Sequence, residues 1–350
     1  MHSLTPEYLN RLTFSQTDVA TLRALGEYLG KQKLFVMQKP GTLQSLQTVA
    51  AIESADSSNR LEGITAPKAR IRAIVSRNAE PRDRSEQEIA GYRDAMGLIH
   101  QTGQDMPISV NVIRQLHQRL YRYMPQDGGR WKSTDNEIVE RDKEGNITRV
   151  RFKAVSAVAT PQAMDDLVKY HRQAIDDGRD AMVVIPLFVL DFLCIHPYQD
   201  GNGRVSRLVT TLLLYHAGYE VGRYISLERH FLETAKTYYE SLESSSRGWH
   251  EGEHDVMPWA RYFWGVLLAA YKEFEDRVGT IETGKGSKTA RIRAAVERKV
   301  MPFRMSDINN ELPDISRDMI RLVLRQMKDE GRVRPEGRGP AAQWIPSNNK

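Results

Sequence analysis

Twelve residues in the middle of the chain, 196–207, place the side chains needed for phosphoryl transfer in one short stretch: His-Pro-Tyr-Gln-Asp-Gly-Asn-Gly-Arg-Val-Ser-Arg. Gly201 and Gly203 flank Asn202, so the backbone can curl into a concave nest of amide hydrogens. A helix that begins at once adds unpaired donors and a partial positive charge, which makes a phosphate site. Arg204 and Arg207 are three apart on its first turn and can fork onto phosphate oxygens. Asp200 offers the hard oxygen that Mg²⁺ takes alongside substrate phosphates. His196 can accept a proton near neutral pH. A bare Gly-x-Gly would read as a turn between core helices; a histidine, an acid, the glycine pair and two arginines together point to transfer of a nucleotide phosphoryl group.

The flanking elements must hold that loop. Ile185–Ile195 is almost continuously apolar and predicts a helix buried on most sides, and Val205–Gly218 predicts a second apolar helix. Three-to-four spacing of apolar residues predicts further helices over Tyr8–Tyr28, Leu43–Leu61, Ser85–Thr102, Val110–Tyr123 and Pro161–Asp177, so the fold class is mainly α. One segment differs. Residues 137–141 and 147–153 read as two strands around a Gly-Asn turn, a hairpin that must lie on helices or pair with something extended. After linker-like residues 279–288, three short helices and a small hairpin outline a winged helix-turn-helix: Ala290–Lys299, a helix capped by Ser306, a helix over Arg317–Glu330 capped by Ser316, then Arg332–Arg334 and Gln343–Ile345.

The 350 residues have ordinary apolar, charged, Gly and Pro contents for a globular protein, with room for one large core and a smaller second domain. No stretch is long and apolar enough for a transmembrane helix, and the first residues lack signal-peptide character, so a cytoplasmic protein without membrane association is expected. One cysteine, Cys194, excludes an intramolecular disulfide framework. The net charge of +5 is located: residues 289–350 carry thirteen Lys and Arg against eight Asp and Glu, and the rest is balanced. The basic module suggests an anionic partner of its own.

The loop resembles the signature of the Fic family, His-x-Phe-x-Asp/Glu-Gly-Asn-Gly-Arg-x-x-Arg, with Tyr198 in place of the usual Phe, and the likeness runs over roughly residues 45 to 275. The resemblance implies a helical protein adenylyltransferase that moves AMP from ATP, with Mg²⁺, to a Ser, Thr or Tyr hydroxyl of a target protein. His196 would then be the base and Asp200 the metal ligand. Gly201, Asn202 and Gly203 would bind phosphate oxygens, and Arg204 and Arg207 the departing β/γ end. Ser58-Asn-Arg-Leu-Glu62-Gly63 resembles the family's inhibitory motif, in which Glu62 pairs with Arg207; by itself the same pattern is also a helix cap. The hairpin 137–153 matches the position of the family's flap, where a target segment docks, and Tyr238 and Tyr239 resemble a pair lining the nucleoside pocket. The division that follows is an N-terminal helical region with the inhibitory helix (1–105), a catalytic core (106–278), a linker (279–288) and a winged helix domain (289–350).

Other readings stay open. His250-Glu-Gly-Glu-His254 fits the zincin pattern, but Gly252 and Pro258 place it in a loop rather than on a helix. Arg317, Arg321 and Arg325 share a helix face, with Arg332, Arg334 and Arg338 on the wing, so DNA binding by 289–350 as a transcription regulator is a second hypothesis. Removal of AMP as the main reaction is a third. The oligomeric state is not legible.

Overall fold

The structure is a computed structural model that describes residues 3–38, 40–141, 146–278, 288–299, 302–313, 315–337 and 343–346. The chain divides into two compact units, residues 1–32 with 46–272, and residues 33–45 with 273–350. Both are mainly helical.

In the first unit the chemistry-bearing loop joins two buried helices, Ala181–Ile195 and Asn202–His216. Phe188, Val189, Leu190, Phe192 and Ile195 are all essentially inaccessible, as are Val205, Leu208 and Leu212 across the loop. Each such side chain contributes about 1.5–3 kcal/mol by leaving water. Pro186 lies inside the first helix, where its ring cannot donate to the carbonyl four residues back. That carbonyl, of Met182, accepts instead from the Trp264 indole at 2.7 Å, and the Pro186 carbonyl accepts from Trp259 at 2.9 Å. The Trp264 indole thus supplies the donor that the proline lacks.

Helices Arg84–Thr102, Val110–Leu120 and Thr160–Asp176 follow the apolar spacing closely. Ser109 and Asp83 cap two of them by accepting amide hydrogens at 3.2 and 2.9 Å. The expected Tyr8–Tyr28 helix is instead two: Pro6–Leu9, then Gln16–Gln38. The break arises because Asn10 closes the short turn and Ser15 pairs reciprocally with Asp18 to start the next helix. Strands β1 (Glu137–Arg141) and β2 (Ile147–Lys153) pair antiparallel, as the alternation predicts, while residues 142–145 of the turn lie outside the described residues.

In the second unit, helices Lys288–Glu297, Met305–Glu311 and Arg317–Asp329 close over Ile292, Val296, Ile308, Ile320, Val323 and Met327. A three-stranded antiparallel sheet accompanies them, β3 (Phe303–Arg304), β4 (Val333–Glu336) and β5 (Gln343–Pro346), in the order β3-β5-β4. Strand β3 has no sequence signal because it is two residues long. Ser316 caps the third helix as expected, accepting from Met319 N at 3.4 Å. The second helix starts one residue before Ser306; its N-cap is Arg304, whose backbone N–H donates to the Asp307 carboxylate at 2.7 Å. The linker residues 279–287 and Arg338 lie outside the described residues.

Candidate active site

His196 terminates the Ala181–Ile195 helix in the left-handed region, φ 49°, a conformation that costs a residue with a side chain on the order of 1–3 kcal/mol. Its Nδ1 lies 3.2 Å from the carbonyl of Leu193. A proton on Nδ1 satisfies that carbonyl and leaves Nε2 as the free base. Burial lowers the imidazole pKa to about 4, helped by nearby Lys132, so the ring is neutral at pH 7.

Beyond it the loop is braced internally. Asn202 is buried, its Oδ1 accepting from Tyr198 N at 2.9 Å and its Nδ2 donating to Tyr198 O at 2.7 Å. The side chain is therefore occupied in shaping the loop, which leaves the backbone N–H of Asn202 for an anion. Gly201 takes φ 82°, which only glycine adopts without strain, and its N–H meets Asp200 Oδ1 at 2.7 Å. The Tyr198 hydroxyl, the departure from the family pattern, donates to Ile113 O at 3.1 Å, so it is satisfied without touching the chemistry. Its ring stacks on His117 at 3.7 Å between centroids, and His117 in turn stacks on Tyr121.

Asp200 is a solvent-facing carboxylate held by Tyr121 Oη at 2.8 Å and approached by Arg204 at 3.5 Å. Partial burial would raise its pKa, but the tyrosine hydroxyl, Arg204 and the Gly201 amide outweigh it and hold it below the usual range. Among the described residues no three His, Cys, Asp or Glu cluster as a metal site. One exposed carboxylate suits an ion that arrives on a nucleotide's phosphates and keeps its waters, not a resident ion in a protein cage.

Arg204 and Arg207 diverge. Arg204 is buried, and its Nη1 donates to the buried carboxylate of Glu88 at 2.5 Å. Arg207 lines the pocket. Its Nε donates to Ser58 Oγ at 2.8 Å and its Nη2 to Ser58 O at 2.8 Å and Glu62 Oε1 at 2.7 Å. Glu62 Oε1 also lies 2.2 Å from where a Cβ on Gly203 would stand, so its carboxylate rests directly on the start of the helix. A carboxylate in that position stands beside the helix start and occupies the guanidinium that an anionic ligand would need. Gly63 has φ 77° and turns the chain away after the motif.

The pocket above has a volume of about 240 Å³. Its polar lining includes Glu62, His196, Asp200, Gly203 and Arg207, and its apolar lining Ile138, Phe152, Leu190, Leu193, Tyr239 and Leu242. Tyr239 lines it with its hydroxyl on Leu61 O at 2.9 Å. Tyr238 also borders it but is largely core, packed against Phe231 and Trp259. Hairpin strand β2 is clamped at the pocket by Arg151, whose Nε and Nη2 lie 3.0 and 2.6 Å from Glu243 Oε2. Phe152 stacks on His250 at 5.2 Å, and His250 Nε2 meets Lys153 O at 2.7 Å. His254 lies elsewhere, its Nε2 on Ser3 Oγ at 2.8 Å, so the two histidines of the zincin-like pattern do not converge.

Glu88, His117, Tyr121, Lys132 and Glu243 carry no motif in the sequence and become visible only through these contacts. Residues 107–214 match the Fic/DOC family. Over 219 residues the chain is 26% identical to the protein adenylyltransferase Fic of Nematostella vectensis, covering 59% of this chain and 44% of that protein. Over 273 residues it is 25% identical to the protein adenylyltransferase Fic of Culex quinquefasciatus, covering 70% and 49%. The chain thus spans under half the length of these curated relatives. In fold it is similar to a Fic family protein from Desulfovibrio desulfuricans G20 (TM-score 0.63, 19% identity, 97% of this chain and 98% of that one). It is also similar to residues 134–508 of Fic-1 from C. elegans (TM-score 0.58, 19% identity, 74% and 73%). The segment that matches the Fic/DOC family, 107–214, holds the hairpin, the Ala181–Ile195 helix, the loop from His196 to Arg207 and most of the helix that follows.

Proposed function

We propose that this chain is an ATP-dependent protein adenylyltransferase held inactive by its own Glu62. The observation that carries this reading is the shared pocket: a neutral imidazole with a free Nε2, an anion-binding helix start with Arg207, and an apolar chamber, all capped by one carboxylate. In the reaction a target hydroxyl oxygen attacks the α-phosphorus, the bond to the bridging oxygen breaks, pyrophosphate leaves, and the hydroxyl proton passes to His196 Nε2. Backbone amides of 201–203 and Arg207 hold phosphate oxygens, and the apolar chamber with Tyr239 takes the nucleoside. Asp200 would hold the Mg²⁺ carried by the nucleotide, which supplies charge neutralisation at the phosphates. The target segment would pair along the hairpin 137–153, whose strand β2 sits at the pocket rim.

Glu62 opposes this by occupying Arg207, since a carboxylate on a forked guanidinium competes directly with phosphate. Incubation of wild type, Glu62→Gly and His196→Ala with α-labelled ATP, Mg²⁺ and a lysate tests the reading. Label should be strong with Glu62→Gly, weak with wild type and absent with His196→Ala. No label with any of them would overturn transfer from ATP and favour AMP removal, assayed on a pre-labelled target.

The second unit supports a separate reading, a winged helix that binds nucleic acid. Arg317, Arg321 and Arg325 are exposed on the helix whose opposite face, Ile320, Val323 and Met327, is buried. Anisotropy of labelled duplex DNA across a salt series checks it: binding should weaken steeply with salt, and no binding at low salt would leave protein docking.

A further inference from the structure

A polar brace joins the base of the hairpin to the end of the helix that carries His196. Helix C-termini leave carbonyls without partners. Here the carbonyls of 195–198 all receive donors from residues 132 and 136. Lys132 Nζ donates to Ile195 O at 3.0 Å, and Lys132 N to Pro197 O at 2.9 Å. Asn136 Nδ2 donates to Tyr198 O at 3.0 Å and reaches His196 O at a long 3.5 Å. Asn136 Oδ1 accepts from Lys132 Nζ at 2.7 Å, which closes the ring. Lys132 is only 4% exposed, and both acceptors of its ammonium are neutral oxygens. Burial lowers its pKa to about 8. Lysine is seldom buried this way, because its charge loses water. Residue 136 directly precedes β1, so the same side chain touches both the flap's root and the loop.

We propose that Lys132 and Asn136 are positioning residues that hold 195–198 in the conformation aiming His196 Nε2 at the acceptor hydroxyl, and that couple this aim to the hairpin on which the target docks. The left-handed backbone at His196 is what needs holding: without donors on both sides of it, residue 196 relaxes to an ordinary helix end and the ring turns. The inference rests on the adenylyltransferase reading for its kinetic consequence, but not for its structural one.

The test uses the full chain with Glu62→Gly as parent, adding Lys132→Met or Asn136→Asp. The aspartate keeps an oxygen facing Lys132 and turns the donor facing Tyr198 O into an acceptor, so it probes the brace even where Lys132→Met fails to fold. Transfer kcat should fall on the order of 10²-fold, the effect of a small misplacement of a reacting group, with KM for ATP unchanged. In labelled-histidine NMR the His196 ring signal should shift in both variants. Folded variants that keep the parent's kcat, or that lose thermal stability while the His196 resonance stays in place, would overturn the proposal. A parent that labels nothing would instead sink the adenylyltransferase reading, and the His196 resonance would still decide the brace.

Discussion

Burial keeps His196 neutral, the state that the proposed base needs. With its pKa lowered to about 4, the free Nε2 is available throughout the range from pH 8 down to about 5. The activity of Glu62→Gly should therefore hold between pH 8 and 5.5 and fall only towards pH 4. A pH–rate profile with an acid limb near 6.5 would contradict a buried base. Arg204 and Arg207 show how burial separates two like residues. Arg207 faces the pocket, whereas Arg204 is enclosed with Glu88. Removing one member of a buried pair leaves the other's charge uncompensated, so Glu88→Gln should destabilise the fold by on the order of 3 kcal/mol. Denaturant unfolding measures this, and a change under about 1 kcal/mol would mean the pair is hydrated.

At the scale of elements, two pieces are fastened over the pocket. The Pro40–Arg60 helix presents Ser54 and Ser58 four residues apart on one face, with Glu62 four further on just beyond its end. Ser54 Oγ donates to the buried Glu228 at 2.7 Å, Arg229 pairs with Glu53 at 3.1 Å, and Arg207 binds Ser58. Glu62 is thus the last of several contacts rather than a lone plug. Losing its carboxylate should free Arg207 while the helix stays in place, and unchanged circular dichroism of Glu62→Gly checks this. The hairpin depends on the Arg151–Glu243 fork, which is mostly shielded from water. Glu243→Ala should release it, raising amide exchange over 146–153 by about tenfold for a lost charge-assisted pair of about 1.4 kcal/mol. Exchange equal to wild type would assign the hairpin's hold to its other contacts, among them Phe152 on His250 and His250 on Lys153 O.

At the scale of the whole molecule, buried histidines set the acid response. His100, His117, His171 and His196 all have pKa values lowered to about 4 by burial. Each binds its proton more weakly folded than unfolded, so between the unfolded value near 6.5 and about 4 the unfolded state takes up more protons as pH falls. Stability is complete above the unfolded value and declines through that window, each histidine adding up to about 1.4 kcal/mol per pH unit. The carboxylates of Asp18 and Glu86, held down by Arg261 and Arg70, act only at lower pH. Thermal unfolding should show Tm dropping steadily from pH 6.5 to 4.5; a flat Tm there would mean these rings are hydrated. Among the described residues no helix is long and apolar enough to cross a membrane.

What could be read from the sequence is what neighbours along the chain decide. Apolar spacing located the helices Arg84–Thr102, Val110–Leu120 and Thr160–Asp176 to within a few residues, because a helix's buried face recurs every turn. The turn from His196 into the Asn202–His216 helix was legible because its glycines, helix start and cations lie within a few bonds of one another. The tertiary structure alone decided which of two equivalent arginines faces the pocket, that the Asn202 side chain shapes the loop, and that Lys132, Asn136, Glu88 and Tyr121 stand around it. Glu88 lies 116 positions from Arg204 and Asn136 lies 62 from Tyr198. A charge or an amide at such separation has many equivalent partners in a linear chain. Only packing, which removes water from all but one arrangement, selects among them.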